Sequence, residues 1–282
     1  MSKSLYKTLL DVLAYAVLLF GALTMLVPFL WMISVSFRVP AEQFSRNIIP
    51  NPFTLQNYFD LFEDLPNQAF LYLTVNSFKL SILAVIGQVL TCAMAAFAFA
   101  IVKFKGRDFL FALLVATLMI PPQVSLIPNF IIFKYLGWIG TQLPLIVPAF
   151  WGGAFGTFLL RQYFLTIPRD LVDAARMDGA SLFDIFWRIY LPLSKPAVAA
   201  LSIFVFKDAW NDLLHPLVYL PTDMQKTTLT VGLAFFQQQL QMGGKFTVLM
   251  AGAFLSILPL LVIFFIAQKQ FIEGVALSGV KR

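Results

Sequence analysis

The stretch Asp170–Pro192 reads DLVDAARMDGASLFDIFWRIYLP and lies between long charge-free runs. Asp170 stands where an N-cap is favoured, because its carboxylate can accept from an orphan backbone N–H. Asp173 falls in the first turn, where the helix dipole favours an acid by about 0.3–1 kcal/mol. Gly179 is placed to end that helix in the left-handed conformation. Ser181, with Asp184 three residues on, makes an imperfect capping box for a second helix. That helix presents Leu182, Phe183, Ile185, Phe186, Ile189 and Tyr190, and Pro192 is expected to stop it. The spacing predicts two short amphipathic helices joined by one glycine. Such an elbow, with an apolar face left outside the membrane, wants a protein partner.

Outward from this stretch the chain is apolar. Of 282 residues 60% are hydrophobic and 12% charged, against about 45–50% and about 25% in a soluble domain. A membrane helix needs about 20 apolar residues. Runs of that size without a charge are Val12–Phe37, Leu80–Val102, Phe109–Phe133, Tyr135–Leu160 and Phe246–Ala267. A sixth, Pro196–Leu220, is interrupted only by Lys207, Asp208 and Asp212. Membrane β-barrel strands would be short and alternating, whereas these runs are continuous. The first run is longer than the apolar part of a signal peptide, about 7–15 residues, and is expected to remain as a span. The expected fold is an all-α membrane protein of six transmembrane helices forming one domain over residues 1–282. Pro28, Pro121, Pro122, Pro128, Pro144, Pro148 and Pro259 predict kinks, which a membrane bundle tolerates. Gly152 and Gly156, and Ala93, Ala96 and Ala100, predict close helix packing.

The net charge of +6 forms no basic stripe with interleaved aromatics, so nucleic acid is not the partner. The basic residues cluster at the ends of the runs, as the positive-inside rule requires. With the N-terminus inside, Lys3, Lys7, Lys103, Lys105, Arg107, Arg161, Arg169, Arg176, Arg188, Lys195, Lys269, Lys281 and Arg282 are cytoplasmic. Arg38, Arg46, Lys134, Lys226 and Lys245 are left outside. Both termini and the elbow are therefore expected in the cytoplasm. The outer segment Arg38–Leu71, with Glu42, Asp60, Glu63 and Asp64, reads as an extended surface loop. A single cysteine, Cys92, and a single histidine, His215, exclude an internal disulfide and argue against a His/Cys metal site. Cys92 reads as a small packing residue.

Asp208, Asn211, Asp212 and His215 recur at helical spacing and would share one face of the fifth span. A charge at the bilayer centre costs about 2.5–3.5 kcal/mol and usually faces a cavity or a partner. Two readings stand. The stripe lines a hydrated pathway, with Trp210 as a sugar-stacking or interfacial aromatic, or the span ends near Trp210 and the cluster lies in outer water. Gln123, Gln88 and Asn129 are further pathway candidates. The outer connection Thr222–Lys245, with its apolar Thr228–Gln239 segment, either folds back between helices or packs on the bundle.

DAARMDGA (Asp173–Ala180), followed by Ile189, Leu191 and Pro192, resembles the EAA loop of bacterial ABC-importer permeases. The family pattern is Glu-Ala-Ala, a glycine shortly after, and Ile-x-Leu-Pro near the end; Asp173 stands here for the glutamate. FLLRQYFLTIPRDL (Phe158–Leu171), WNDLLHPLVYL (Trp210–Leu220), GVALSGVKR (Gly274–Arg282), NPFTLQNYFDLF (Asn51–Phe62) and FKGRDFLF (Phe104–Phe111) resemble the carbohydrate-uptake branch. That branch includes the smaller permease of maltose-type importers and the glycerol-phosphate and oligosaccharide permeases. The resemblance implies a type I importer permease in a bacterial or archaeal plasma membrane. Asp173, Ala174, Ala175, Asp178, Gly179, Ala180, Ile189, Leu191 and Pro192 would then couple to the cleft of an ATPase. It implies a sister permease, two cytoplasmic ATPase subunits holding ATP and Mg²⁺, and an extracytoplasmic solute-binding protein. No cofactor is expected on this chain, which has no GxxxxGK[ST] phosphate loop.

A permease for an amino acid or polyamine is the alternative within this class. A membrane enzyme would need acids, histidines or metal ligands converging at the membrane, and a stand-alone secondary transporter would show internal repeats; neither signal is present. The charge pattern yields a direct test. Single cysteines at Ser181 and Asp60, each in a Cys92→Ala background, should label from opposite sides of the membrane. Labelling of both from one side would overturn the orientation.

Overall fold

In hydrocarbon a backbone has no water to bond, and a helix satisfies its N–H and C=O groups within one segment. The computed structural model follows this rule. It describes residues 3–63, 69–220, 225–242 and 245–279, with side chains for 7–63, 69–220, 225–237 and 245–268. Asp64, Thr222, Lys281 and Arg282 lie outside the described residues, as do the side chains of Lys3 and Lys269. No β-strand occurs among the described residues; one isolated bridge joins Arg38 and Phe53.

The helices are α1 (Lys3–Ser36), α2 (Gln56–Glu63), α3 (Ala69–Ile101), α4 (Arg107–Ala116), α5 (Pro122–Tyr135), α6 (Leu143–Ile146) and α7 (Ala154–Phe164). There follow α8 (Asp170–Met177), α9 (Leu182–Ile185), α10 (Leu191–Leu193), α11 (Lys195–Trp210), α12 (Leu214–Tyr219), α13 (Leu229–Met242) and α14 (Phe246–Gly279). Four stretches are long and apolar enough to cross a membrane as they stand: Lys7–Ser36, Ala69–Ile101, Leu143–Phe164 and Phe246–Gln268. Two further candidates are bent pairs, Arg107–Met119 with Pro122–Tyr135 at 99° and Leu182–Leu193 with Lys195–Trp210 at 79°. Counting each bent pair as one span gives six.

Several expected boundaries move, each for a physical reason. The third run is not one rod; it bends at Pro121–Pro122, where two residues lack the N–H of a helical ladder. The second helix begins at Ala69 and not Leu80. It can carry polar Asn76, because that amide donates to the carbonyls of Gln225 (2.7 Å) and Thr227 (3.0 Å). The fourth begins at Leu143, after the left-handed glycines Gly137 and Gly140. Gly152 and Gly156 do not share a helix. Gly152 has φ +80° and ψ −172°, a region essentially closed to other residues, and there a 3-10 stretch, Val147–Trp151, breaks before α7.

The chain forms two units, Met1–Gln68 with Leu233–Leu258 and Ala69–Gly232 with Pro259–Arg282. In the first, the expected surface cation Arg38 is buried. Its guanidinium donates to the Ser45 carbonyl (2.6 Å), the Ser34 hydroxyl (2.8 Å) and the Asn47 carbonyl, and lies over the Trp31 ring. Asn57, also buried, donates to the carbonyls of Ser36 and Arg38 and accepts from the Thr247 hydroxyl. The outer segment is therefore pinned by buried polar groups that are almost all bonded, as burial demands. The side chains of α1 from Lys7 to Trp31, apart from half-buried Gly21, are exposed, and from Val12 onward this surface carries no charge.

In the second unit α3 is the central helix, packed against α7 and α11. Cys92, Ala93, Ala96 and Ala100 of α3 are buried against Leu160 and Phe164 of α7 and Leu201 and Val205 of α11. Small residues let these backbones approach, which is what drives association where lipid offers no hydrophobic gain. A Cβ on Gly156 would stand 2.8 Å from Cys92 Sγ and 3.1 Å from both methyls of Leu201. Gly156→Val should destabilise the solubilised protein by about 1–3 kcal/mol through overpacking, read as a lower thermal transition. Adding Cys92→Ala should restore part of the loss. A transition unchanged by Gly156→Val would refute this packing.

Candidate functional site

The elbow is built much as its residues dictate, with three differences. Asp170 is the first residue of α8 and not its N-cap; Arg169 holds that place and no side chain caps the helix. Asp170 and Asp173 both lie in the first turn, so two carboxylates meet the dipole. At the other end Asp178 is the C-cap and Gly179 has φ +83°. Gly179 N–H donates to the Arg176 carbonyl (3.0 Å) and Ala180 N–H to the Ala175 carbonyl (2.9 Å). These two bonds make a complete Schellman motif. Ala175 and Ala180, its paired apolar positions, both pack on the core.

Ser181 and Asp184 form a full capping box, not an imperfect one. The Ser181 hydroxyl accepts from the Asp184 N–H (3.1 Å) and the Asp184 carboxylate from the Ser181 N–H (3.3 Å). The bonds from Ser181, side chain first, hold the Asp184 carboxyl below the usual carboxylate range. Arg188, one turn on, reaches Asp184 at 3.5 Å. Nor does Pro192 stop the second helix. α9 widens into a π turn over Phe186–Tyr190 and runs on through α10, where Pro192 sits in the opening turn. There a missing N–H costs little. The helix ends at Ser194, and the chain turns by 79° into α11.

One face of this elbow is fastened to the bundle. Phe97 of α3 meets Phe186 edge-on at 5.5 Å and Tyr190 at 5.2 Å, and Phe164 of α7 meets Tyr190 at 5.4 Å. Ile185, Phe186 and Tyr190 are buried, with Val172 of α8 and Ile167 beside them. Each aromatic pair of this kind contributes about 0.5–1.5 kcal/mol beyond area burial. The opposite face is bare: Met177 is 89% and Phe183 67% exposed, with Leu182 and Trp187 also exposed. A groove of about 370 Å³ runs between the two helices, lined by Asp178, Gly179, Ala180, Asp184, Arg188 and Ile189. Asp173, Ala174, Asp178 and Gly179 are exposed, while Ile189 and Leu191 pack on the core and Pro192 faces outward. The sequence reading named the elbow but not its anchors Phe97 and Phe164. Phe97 was within reach, since it extends the Ala93, Ala96, Ala100 face by helical spacing.

The polar stripe does not survive as one helical face. α11 ends at Trp210, Asn211 is its C-cap, and α12 starts at Leu214. The helix therefore ends near Trp210. Trp210 is buried, edge-on to Phe78 at 4.7 Å and stacked with Phe206 at 5.5 Å, so its ring is not free to stack on a solute. Its carbonyl accepts from the Thr230 hydroxyl. Lys207 pairs with Asp208 at 3.3 Å on an exposed surface. Asp212 accepts from the His215 N–H (3.2 Å) and contacts His215 Nδ1 at 2.9 Å, closing the first turn of α12. Gln123 is exposed on the opening turn of α5, Asn129 is half-buried, and Gln88 lies against the backbone of Gly153. Within the outer connection, residues 227–229 pack on the bundle. Thr227, Thr228 and Leu229 are buried, and Leu229 N–H donates to the Ser77 hydroxyl of α3. No group of three or more His, Cys, Asp or Glu residues poised to hold a metal occurs among the described residues.

The family profile described as the binding-protein-dependent transport system inner membrane component matches residues 93–276, from the middle of α3 through the elbow and most of α14. The chain is 36% identical to the arabinooligosaccharides transport system permease protein AraQ of Halalkalibacterium halodurans, over 90% of each chain. It is 34% identical to the galactooligosaccharides transport system permease protein GanQ of Bacillus subtilis, covering 95% of this chain and 94% of that one. A solved bacterial ABC transporter involved in the import of the acidic polysaccharide alginate has the same fold. One of its chains aligns with a TM-score of 0.83 at 24% identity, over 96% of this chain and 99% of that one. An elbow gripped by the bundle on one face and bare on the other sits inside the matched region. The chain belongs to the family of binding-protein-dependent transport system inner membrane components, as a multi-pass permease subunit of an ABC importer rather than an enzyme.

Proposed function

We propose that this permease carries an oligosaccharide or similar sugar into the cytoplasm, as one of two permease subunits driven by two separate ATPase subunits. Both termini and the elbow face the cytoplasm, and an extracytoplasmic binding protein delivers the solute. The observation that carries this reading is the two-faced elbow. Its aromatic face grips α3 and α7, while Met177, Phe183 and Trp187 stand free to enter a cleft of the ATPase. ATP and Mg²⁺ held on the ATPase supply the energy. This chain's part is mechanical: a displacement of the elbow passes through Phe97 and Phe164 into two helices of the bundle. Relatives named for arabinooligosaccharides and galactooligosaccharides support the solute class. A solved alginate transporter in complex with a pentasaccharide-bound periplasmic protein, TM-score 0.66, supports the binding-protein partner.

A second reading, a non-saccharide solute, is favoured by relatives named for osmoprotective compounds (37% identical) and sn-glycerol-3-phosphate (33%). Competition of transport by a panel of unlabelled oligosaccharides, sugar phosphates and compatible solutes separates the two.

The elbow generates a prediction for the assembled transporter. No atom lies within 4 Å of a Cβ placed on Gly179, so substitution acts through the positive φ alone. Gly179→Val should strain the turn by about 1–2 kcal/mol. It should sharply reduce binding-protein-stimulated ATP hydrolysis while the chain still inserts. Gly179→Asn, which tolerates this conformation, should act more mildly. Phe97→Ala, a truncation of about 3–5 kcal/mol, should lower stimulation as well. Tyr190→Phe should be tolerated, because the Tyr190 hydroxyl is buried without a hydrogen-bond partner. Normal stimulation and uptake in Gly179→Val complexes would remove the elbow from the coupling path.

Asp212 permits a second test. Asp212→Asn keeps an acceptor for the His215 N–H but removes the charge, so complex yield should hold while solute uptake falls. Uptake kinetics equal to the parent's would leave Asp212 as a helix cap only.

A further inference from the structure

Beside the root of the elbow lies a second cleft, of about 440 Å³, that the coupling mechanism does not use. Lys103, Phe104, Arg107, Asp108, Phe109 and Arg169 line it. Two chain segments build it. The turn after α3 brings Lys103 and Arg107 to one wall, with Gly106 at φ +82° letting the chain double back into α4. The N-cap residue of α8 brings Arg169 to the other. The one acid in the cleft is already committed: Asp108 pairs with Arg107 Nε at 2.9 Å. Among the described residues neither Lys103 nor Arg169 has an ion-pair partner, and exposed Lys105 adds a further cation to the same turn. Arg161, which neighbours this end, is spent elsewhere, over the Phe111 ring and on the Phe99 carbonyl. The cleft therefore has an uncompensated positive field suited to a phosphate, which takes charge-assisted bonds from guanidinium and ammonium groups.

What distinguishes this cleft from an ordinary basic surface is what leads away from it. α4 has no buried residue, and Phe109 (67% exposed), Leu110 (48%) and Leu113 (50%) form an outward apolar strip starting at the cleft. Phe104 is an exposed aromatic on the cleft wall. A cationic cleft at the end of a membrane span, continuous with an uncovered apolar strip, matches a molecule that is anionic at one end and a hydrocarbon chain at the other. We infer that the cleft between the α3–α4 turn and Arg169 binds the phosphate headgroup of an anionic phospholipid, with its acyl chain along Phe109, Leu110 and Leu113. Because Arg169 stands at the N-cap position of the first elbow helix, the bound lipid bridges the bundle and the elbow, and the leaflet's charge can bear on coupling.

The test uses the assembled transporter in nanodiscs of equal phosphatidylglycerol and phosphatidylcholine. Native mass spectrometry then counts the lipids retained. The parent should enrich phosphatidylglycerol. Lys103→Gln with Arg169→Gln should lower that enrichment by roughly tenfold or more, at about fivefold for each cation removed. Arg169→Lys should retain most of it, since charge and not fork geometry is required. Size-exclusion profiles matching the parent's show that the variants fold. Millimolar inorganic phosphate should leave the lipid in place; if it displaces the lipid and itself binds with equal strength, the site is for free phosphate and the lipid is excluded. Undiminished enrichment in the double variant overturns the proposal. So does loss of the ATPase subunits with enrichment intact, which would make the cleft a protein-docking surface.

Discussion

The edge-on contacts of Phe97 with Phe186 and Tyr190, and of Phe164 with Tyr190, join an exposed elbow to the two helices at the centre of its unit. Without them the elbow would be joined to the bundle chiefly through its two chain connections, Ile167–Asp170 and Ser194–Lys195. With them a helix pair of fewer than thirty residues is fixed to the bundle, as the proposed coupling role requires. The rings are rigid and carry few rotatable bonds, so they fix the elbow's position on α3. The Schellman turn at Gly179 and the capping box at Ser181 serve the same end. Each ties up backbone groups that would otherwise fray, so the two helices keep one angle.

The bundle to which the elbow is fastened is itself closely packed. Close packing of α3 with α7 and α11 depends on Cys92, Ala93, Ala96, Ala100 and Gly156, which bring the backbones near enough for dispersion to hold them. The break at Gly152–Gly153 and the sharp bend at Pro121–Pro122 lie in the same unit and divide it into segments that are stiff inside and jointed at defined residues. Such joints concentrate φ/ψ change in a few positions, which is how membrane bundles change shape without melting helices.

The residues around Trp210 show the limits of periodicity. Asp208, Asn211, Asp212 and His215 have helical spacing, yet the helix that would align them stops. Asp212 turns its carboxylate to the His215 N–H in the next helix's first turn, and Trp210 is drawn between Phe78 and Phe206. Local competition by a short acidic side chain for backbone donors overrode the longer pattern.

Much of this protein was written in its linear order. Charge-free runs of about 20 residues can only be solvated by lipid, and the basic residues between them bias orientation. Gly179, Ser181 and Asp184 act through neighbours no more than three or four residues away, so the elbow's two helices and their joint could be read directly. The same locality explains why the family motif was legible there. What needed the tertiary structure is everything that depends on residues distant along the chain. That Arg38 is buried among carbonyls, that Trp210 is packed and not free, and that Phe97 holds the elbow are outcomes of which helices meet. Apolar spacing states that a face will be covered, but lipid and a neighbouring helix satisfy it equally. Only packing, through ring contacts and close backbone approach, decided between them.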